Sequence, residues 1–140
     1  TYWNLNHAFR ALTDGAAFLA LAKNRTFMDD DGKLSLDAGA FVSALEYSSG
    51  KQAIVLGKPS PDFFHAALAS MGCAPEEAVM VGDDAECDVA GAILAGLSRA
   101  VLVRTGKYRD GDERRFDPPP TAVVKDLPAA AAWILGHRDG

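Results

Sequence analysis

Residues 78–88 have the sequence AVMVGDDAECD, in which a short aliphatic run ends in glycine and is followed by four acidic side chains within six positions. The next residues, VAGAIL at 89–94, are again mostly apolar. This order is typical of a buried parallel strand, a tight turn and a helix. In open α/β sheets, ligands bind at the carboxyl ends of the strands. We therefore expect a ligand site at this turn.

The carboxylates of the turn suit a hard cation. Mg²⁺ takes one or two carboxylates and leaves its other positions to water and phosphate, and Asp83 is the first acidic residue after the strand. We therefore predict a phosphate site assisted by Mg²⁺. In the alternative interpretation, Asp84 only caps the helix while Glu86 and Asp88 complement its dipole. That alternative leaves Asp83 without a role.

A second strand end lies upstream, in the sequence AIVLGKPSPD at residues 53–62. Pro59 favours an extended conformation at Lys58, and Pro61 suits the first position of a helix. Lys58 and the acidic turn are separated by about 25 residues, roughly the length of one βαβ unit. We therefore expect the cation and the carboxylates to share one edge of a sheet. Taken alone, a lysine before a helix is more typical of a solvated surface charge.

At these two strand ends the chain resembles the haloacid dehalogenase-like (HAD) phosphatases, in the branch with an α/β cap before the lysine motif. Gly57–Pro59 is similar to the third motif of that family, and Gly82–Asp84 with Asp88 is similar to the fourth. The likeness extends through Thr105–Tyr108 and back to Leu45–Tyr47. Within the family, the pattern is most similar to the phospholysine phosphohistidine inorganic pyrophosphate phosphatase type.

The resemblance implies a phosphatase that transfers a phosphoryl group from a small phosphorylated substrate to an aspartate and then to water. It implies Asp83 as the ligand of Mg²⁺. It also implies Lys58 as the catalytic lysine, which would pair with the nucleophile and with the transferred group. Asp84 or Asp88 would hold either a water on the metal or Lys58, and the sequence leaves open which of them does so.

The first motif of the family, Asp-x-Asp-Gly, carries the nucleophile, and Asp29–Gly32 matches it in letters. The preceding residues, KNRTFM at 23–28, are too polar for a central strand, and Asp-Gly between strand-like runs is typical of a hairpin turn. We therefore predict a hairpin here and a nucleophile upstream of Thr1. We expect the chain to be the carboxyl-terminal half of such an enzyme and to be inactive alone.

The cap of this family covers the active site, so residues at the end of its first strand here are candidates for contact with the substrate. Asn24 and Arg25 occupy that place, and we predict that they contact the leaving group. A turn with a solvated charge is the alternative. Cap residues select the substrate, and phosphoamino acids, pyrophosphate, sugar phosphates and pyridoxal phosphate are all compatible with this sequence.

Two patterns of elements meet near residue 50. We assign residues 1–50 to the carboxyl-terminal part of an α/β cap and residues 51–140 to the carboxyl-terminal half of a HAD-like core. The predicted fold class is α/β, with a Rossmann-like parallel sheet and flanking helices. In the first region we predict a helix at 6–12, a strand at 17–21, the hairpin and a helix at 40–48. In the second we predict strands near 52–56, 78–82, 100–104 and 121–124, and helices near 61–71, 84–96 and 127–135. The predicted core face of the 61–71 helix is Phe63, Phe64, Ala67, Leu68 and Met71.

The composition argues against several classes of partner. The net charge is −5, with 14 basic and 19 acidic residues, and no basic stripe suggests nucleic-acid binding. No apolar run approaches the ~18 residues of a membrane span. Cys73 and Cys87 lack Cys-x-x-Cys spacing, so we interpret them as free thiols and expect a cytoplasmic protein.

Two other functions are compatible with parts of this pattern. A non-catalytic α/β module could associate through an exposed sheet edge, including with a second copy of itself. A response-regulator-like receiver also gathers aspartates at strand ends. Its acidic pair and phosphoacceptor precede its lysine, which is the reverse of the order found here.

Overall fold

The computed structural model describes residues 1–137. The chain divides into two compact units, Thr1–Gly57 and Lys58–Gly140. The division falls after residue 57, whereas the sequence predicts a boundary at residue 50. The assignment of the two regions to a cap and to a core stays a prediction, and residues 138–140 of the second region lie outside the described residues.

The first unit combines helices with short strands. Its hairpin is antiparallel, with Thr26 opposite Leu36, so the hairpin predicted at Asp29–Gly32 is confirmed. Asp37 is the N-cap of the helix after it, and its carboxylate accepts a hydrogen bond from the N–H of Ala38 at 2.6 Å. The elements of this unit are α1 (Tyr2–Thr13), β1 (Leu19–Ala20), β2 (Thr26–Met28), β3 (Leu34–Leu36), α2 (Ala38–Ser49) and β4 (Ile54–Val55).

Strand β4 pairs in parallel with β1. The N–H of Ile54 donates to the carbonyl oxygen of Phe18 at 2.8 Å, and the N–H of Leu56 donates to that of Ala20 at 2.8 Å. The prediction that the strand at 52–56 begins the later parallel series is therefore wrong. Consecutive strands are paired or adjacent in roughly two-thirds of cases. Strand β4 instead pairs with β1, which lies three strands earlier in the chain.

The second unit is built on a parallel sheet in the order β5, β6, β7. Val81 lies beside Val101, which lies beside Ala122. The predicted α/β fold with a parallel sheet and flanking helices is confirmed. The elements are α3 (Pro61–Met71), β5 (Val79–Gly82), a π-helical segment (Ala85–Ala90), α4 (Gly91–Leu94), β6 (Arg99–Val103), β7 (Ala122–Val124) and α5 (Leu127–Gly136), with 3-10 turns at Pro75–Glu77 and Asp112–Arg114.

Strand β6 carries apolar clusters on both of its faces, because successive side chains of a strand point to opposite sides. Leu102 is fully buried in a cluster with Phe64 and Val89. Val101 is fully buried in a second cluster, with Ala130 of α5. The central strand is therefore fixed by packing on both sides, as expected for a parallel sheet.

Helix α3 buries a narrower face than its sequence suggests. Phe64 and Leu68, four residues apart, are buried, whereas Phe63 is 40% exposed and Met71 is 63% exposed. The prediction of a five-residue core face is therefore wrong for Phe63 and Met71. Ala67 is half-buried. Residues at i and i+4 share one side of a helix, and in α3 that side provides the buried contacts.

The helix predicted over residues 84–96 begins instead as a π-helix. The N–H of Val89 donates to the carbonyl oxygen of Asp84, five residues earlier, at 3.2 Å. The α-helical part ends at Leu94. Across the part of the chain that the structure describes, no helix combines the length and the apolar character needed to cross a membrane.

Candidate active site

The acidic turn follows β5 directly, as the sequence predicts. Asp84 is the N-cap of the π-helical segment, and its Oδ1 accepts hydrogen bonds from the N–H groups of Glu86 at 3.0 Å and Cys87 at 2.9 Å. These bonds satisfy donors that the first turn of a helix leaves without partners. The capping interpretation is therefore correct for the Oδ1 of Asp84. It does not account for the Oδ2 of Asp84, or for Asp83 and Asp88.

Asp88 is buried beneath the end of β5 and contacts Lys58. Its Oδ1 lies 2.5 Å from the Nζ of Lys58, and its Oδ2 accepts a hydrogen bond from the N–H of Asp84 at 3.2 Å. Gly82 leaves the space that this carboxylate fills, because a Cβ at residue 82 would lie 2.2 Å from the Oδ2 of Asp88. Both oxygens of Asp88 are therefore occupied.

Lys58 is held near the acidic turn by the segment that leads into α3. Ser60 is the N-cap of this helix and Pro61 its first residue, as predicted. Pro59 packs closely on the helix that follows the acidic turn, since a Cβ at Gly91 would lie 2.8 Å from the Cβ of Pro59. The side chain of Lys58 stays 34% exposed. Its ammonium group is thus anchored on one side and open to a ligand on the other.

Asp83 has a different environment from the other two aspartates. Its Oδ2 accepts a hydrogen bond from the backbone N–H of Lys107 at 2.7 Å. Among residues 1–137, no group donates a hydrogen bond to its Oδ1. The residue is half-buried. Asp83 therefore presents an oriented carboxylate with one oxygen available.

The second oxygen of Asp84 is neutralised by a lysine that sequence reasoning missed. The Nζ of Lys107 lies 2.6 Å from the Oδ2 of Asp84. Burial raises the pKa of Asp84, but the hydrogen bonds from Lys107 and from the N–H groups of Cys87 and Glu86 outweigh it, so the pKa lies below its usual value. Burial likewise lowers the pKa of Lys107, and the Asp84 carboxylate more than compensates, so that pKa is raised. Both groups are charged at neutral pH.

The position of Lys107 in the sequence could have predicted its place near the acidic turn. It follows β6, which is the parallel neighbour of β5. Residues just after the carboxyl ends of neighbouring parallel strands meet at one edge of the sheet. The sequence left open whether Asp84 or Asp88 holds Lys58. In the structure Asp88 contacts Lys58, whereas Asp84 contacts Lys107.

The donor set fits a hard divalent cation at Asp83. Magnesium prefers oxygen ligands, uses one or two carboxylates and keeps several waters, and the half-buried Asp83 has a carboxylate oxygen that accepts no hydrogen bond from residues 1–137. Within the described residues, no group of three or more His, Cys, Asp or Glu side chains is arranged to hold a metal ion. These residues therefore fit as one part of a magnesium site.

Cys87 lies inside the acidic segment, but its thiol is unreactive. It is buried and free of any disulfide. Burial, followed by the charges of Asp84 and Glu86, raises the pKa of its thiol to about 12. The thiolate is the reactive form of cysteine, so Cys87 acts here as a small core residue.

Asn24 and Arg25 lie in the first unit, between β1 and β2. The Oδ1 of Asn24 is buried and has no hydrogen-bond partner among the described residues. The backbone carbonyl of Asn24 accepts the N–H of Gly39 at 2.9 Å, and that of Arg25 accepts the N–H of Asp37 at 3.1 Å. These bonds tie the segment to the start of α2. Their predicted contact with a leaving group stays a prediction.

The hydrogen bonds that the structure shows at the Asp29–Gly32 match come from nearby residues. Asp29 accepts hydrogen bonds from the N–H of Asp30 at 2.8 Å and from the hydroxyl of Ser35 at 2.7 Å. Asp31 accepts the N–H of Lys33 at 3.0 Å. All of these contacts lie within the hairpin, whose turn is exposed. The hairpin itself supplies the donors to Asp29 and Asp31.

Comparison with known proteins gives one family. The model of the HAD-hydrolase-like family matches residues 55–130. The human haloacid dehalogenase-like hydrolase domain-containing protein 2 is 48% identical over 136 residues, which are 97% of this chain and 52% of that protein. The phospholysine phosphohistidine inorganic pyrophosphate phosphatase of Xenopus laevis is 45% identical over 141 residues, 99% of this chain and 52% of that protein. The chain thus spans about half the length of the curated relatives it matches.

Solved structures show the same fold. The 4-nitrophenylphosphatase from Thermotoga maritima superimposes with a TM-score of 0.82 at 30% identity, covering 94% of this chain and 50% of that one. The glycerol phosphate phosphatase from Mycobacterium tuberculosis, crystallised in complex with magnesium, gives 0.78 at 30% identity, covering 92% and 39%.

Proposed function

Because the chain belongs to the HAD-hydrolase-like family, we propose that the whole protein is a magnesium-dependent phosphatase of small phosphorylated molecules. Membership confirms the resemblance inferred from Gly57–Pro59 and Gly82–Asp84. The observation that carries the proposal is the contact of Lys58 with Asp88, five residues beyond Asp83. It brings one cation to a turn that also offers an oriented carboxylate.

Each residue of the cluster has a distinct proposed task. Asp83 would bind the cation through its free oxygen. When bound, Mg²⁺ supplies positive charge that neutralises the phosphoryl oxygens. Lys58 adds a second positive charge at the same group, and Asp88 keeps its ammonium in place. Preorganised charge of this kind costs no reorganisation during the reaction.

The proposed reaction requires an aspartate nucleophile. Asp29, the only match to Asp-x-Asp-Gly in the sequence, lies in a hairpin and binds its own neighbours. We therefore propose that the whole protein supplies the nucleophile from a segment that this chain does not contain, and that the 140 residues alone are inactive. The cytoplasmic compartment, the absence of nucleic-acid and membrane partners and the association of copies stay predictions.

The test is hydrolysis of 4-nitrophenyl phosphate by the whole protein, with Mg²⁺ and with excess chelator. We expect turnover that requires the metal. Lys58→Met should lower kcat by a factor on the order of 10² to 10³, the effect of losing one preorganised stabiliser of transition-state charge. Lys125→Met removes an exposed lysine and is the matched control. Metal-independent turnover, or equal activity in the two variants, would refute the proposal.

A further inference from the structure

The turn after β6 contacts the acidic turn through two different atoms of one residue. The backbone N–H of Lys107 donates to the Oδ2 of Asp83 at 2.7 Å, and its ammonium lies 2.6 Å from the Oδ2 of Asp84. Adjacent carboxylates are thus bound by the same residue, one through the main chain and one through the side chain. Such a double attachment fixes the turn as well as the carboxylates.

Gly106 makes the main-chain contact possible. Its φ is +54°, in the left-handed region, and a Cβ there would lie 2.0 Å from the Oδ2 of Asp83. A carbon atom that forms no hydrogen bond packs best at about 3.5–4.0 Å from its neighbours, so this approach is a steric overlap. Any side chain at residue 106 would therefore displace the carboxylate of Asp83.

These contacts decide which oxygen of the cluster is left for a ligand. Asp84 has its Oδ1 bound by backbone N–H groups and its Oδ2 bound by Lys107. Asp88 has its Oδ1 bound by Lys58 and its Oδ2 bound by the N–H of Asp84. Within the described part of the chain, Asp83 accepts a hydrogen bond only at its Oδ2. The turn at 105–107 therefore orients Asp83 through a backbone N–H and neutralises the carboxylate of Asp84, which could otherwise also bind the cation.

We propose that residues 105–107 are the positioning element of the metal-binding carboxylate, with Lys107 as a positioning residue that acts through Asp83 and Asp84. The proposal rests on the proposed function, because it takes Asp83 as the ligand of the cation. It goes further by assigning the orientation of that ligand to Gly106 and to Lys107. Groups that orient metal ligands typically contribute 10- to 100-fold to metal affinity or activity.

The first experiment compares two glycines that both have a positive φ. Gly106→Ala places a methyl group against Asp83. In Gly111→Ala the new Cβ would meet nothing nearer than the Nη2 of Arg114, at 3.8 Å, although the φ of +94° is less tolerant of alanine. Titration calorimetry of the whole protein with Mg²⁺ should show Kd raised about 10- to 100-fold in Gly106→Ala and nearly unchanged in Gly111→Ala. Equal shifts would overturn the proposal, because backbone strain alone would then explain them.

The second experiment uses the sign of an effect and keeps the proposal testable if Gly106→Ala does not fold. A lysine that acted only by its charge would repel the cation, so Lys107→Met would tighten Mg²⁺ binding. A positioning lysine predicts the opposite, because the turn loses its anchor on Asp84. We expect Lys107→Met to weaken binding on the order of tenfold and Lys107→Arg to restore most of it. Tighter binding in Lys107→Met would overturn the proposal.

The outcomes separate this proposal from the function on which it rests. If the wild-type protein binds Mg²⁺ and hydrolyses 4-nitrophenyl phosphate, but the two glycine variants behave alike, only the positioning role falls. If the wild-type protein binds no Mg²⁺, the proposed function and the positioning role fall together. Thermal unfolding of each variant, measured with chelator present, reports whether the fold is kept.

Discussion

The chain contains two acidic turns of similar composition, and the structure gives them opposite environments. In the hairpin turn at 29–32, the carboxylates bind donors at most six residues away, and the side chain of Asp31 is 58% exposed. In the turn after β5, the carboxylates bind lysines 23 and 30 residues away, and the side chain of Asp88 is 6% exposed. Local donors give a stable turn, whereas lysines from distant parts of the chain that contact the carboxylates give a candidate site.

The largest expected difference between the turns is in catalysis. In the whole protein, Asp83→Asn should lower kcat by at least a factor on the order of 10² and weaken Mg²⁺ binding, because a neutral amide removes the charge that holds the metal. Asp29→Asn and Asp31→Asn should leave kcat within about threefold, as expected for surface substitutions. Steady-state kinetics on 4-nitrophenyl phosphate measures all three.

A thousand-fold loss of kcat in Asp29→Asn would reverse the comparison, because Asp29 would then be the nucleophile.

The double variant Asp83→Asn with Lys58→Met tests whether the two residues act together. Since both groups act on one phosphoryl group, the double variant should lose less than the product of the two single losses. Multiplicative losses would mean that the two residues act independently.

Sequence patterns were sufficient for the parts of this site that depend on strand ends. Lys58 and Asp83 each follow a short apolar run, and the structure brings Lys58 to the acidic turn through Asp88. The expectation that both residues share the edge of one sheet is wrong, because β4 pairs with β1 and β5 with β6. The pairing of lysines with aspartates was not predictable, because the π-helical segment moves Asp88 beneath Gly82 in a way that no 3.6-residue period describes. The wrong sheet partner for β4 has a related cause, since apolar runs mark strands without stating their neighbours.

The next expected difference is in stability. Asp88→Asn leaves the ammonium of Lys58 without its partner, and breaking a buried ion pair costs about 3–5 kcal/mol. Because Lys58 is one-third exposed, water recovers part of this, and we expect a loss of about 1–2 kcal/mol in the free energy of unfolding. Asp31→Asn should change it by less than about 0.5 kcal/mol.

Urea unfolding of the whole protein in chelator measures both stability changes. An increase in stability for Asp88→Asn would show that repulsion among the three aspartates exceeds the attraction to Lys58. Electrostatic interactions would then destabilise the turn after β5, whereas those in the hairpin turn would not.

The smallest expected effect lies in the hairpin and concerns one proton. The hydroxyl of Ser35, followed by the N–H of Asp30, lowers the pKa of Asp29 from its usual value, and burial opposes this only weakly. A carboxyl whose folded-state pKa is lowered contributes stability above its unfolded-state pKa and loses it as the pH falls through the folded-state value. Ser35→Ala should therefore raise the pKa of Asp29, seen in the carboxyl carbon resonance during an acid titration. The free energy of unfolding of Ser35→Ala should therefore fall less than that of the wild type as the pH drops through the folded-state pKa of Asp29. We expect kcat at neutral pH to stay unchanged. If Ser35→Ala instead altered Mg²⁺ dependence, the hairpin carboxylates would have a role beyond their own turn.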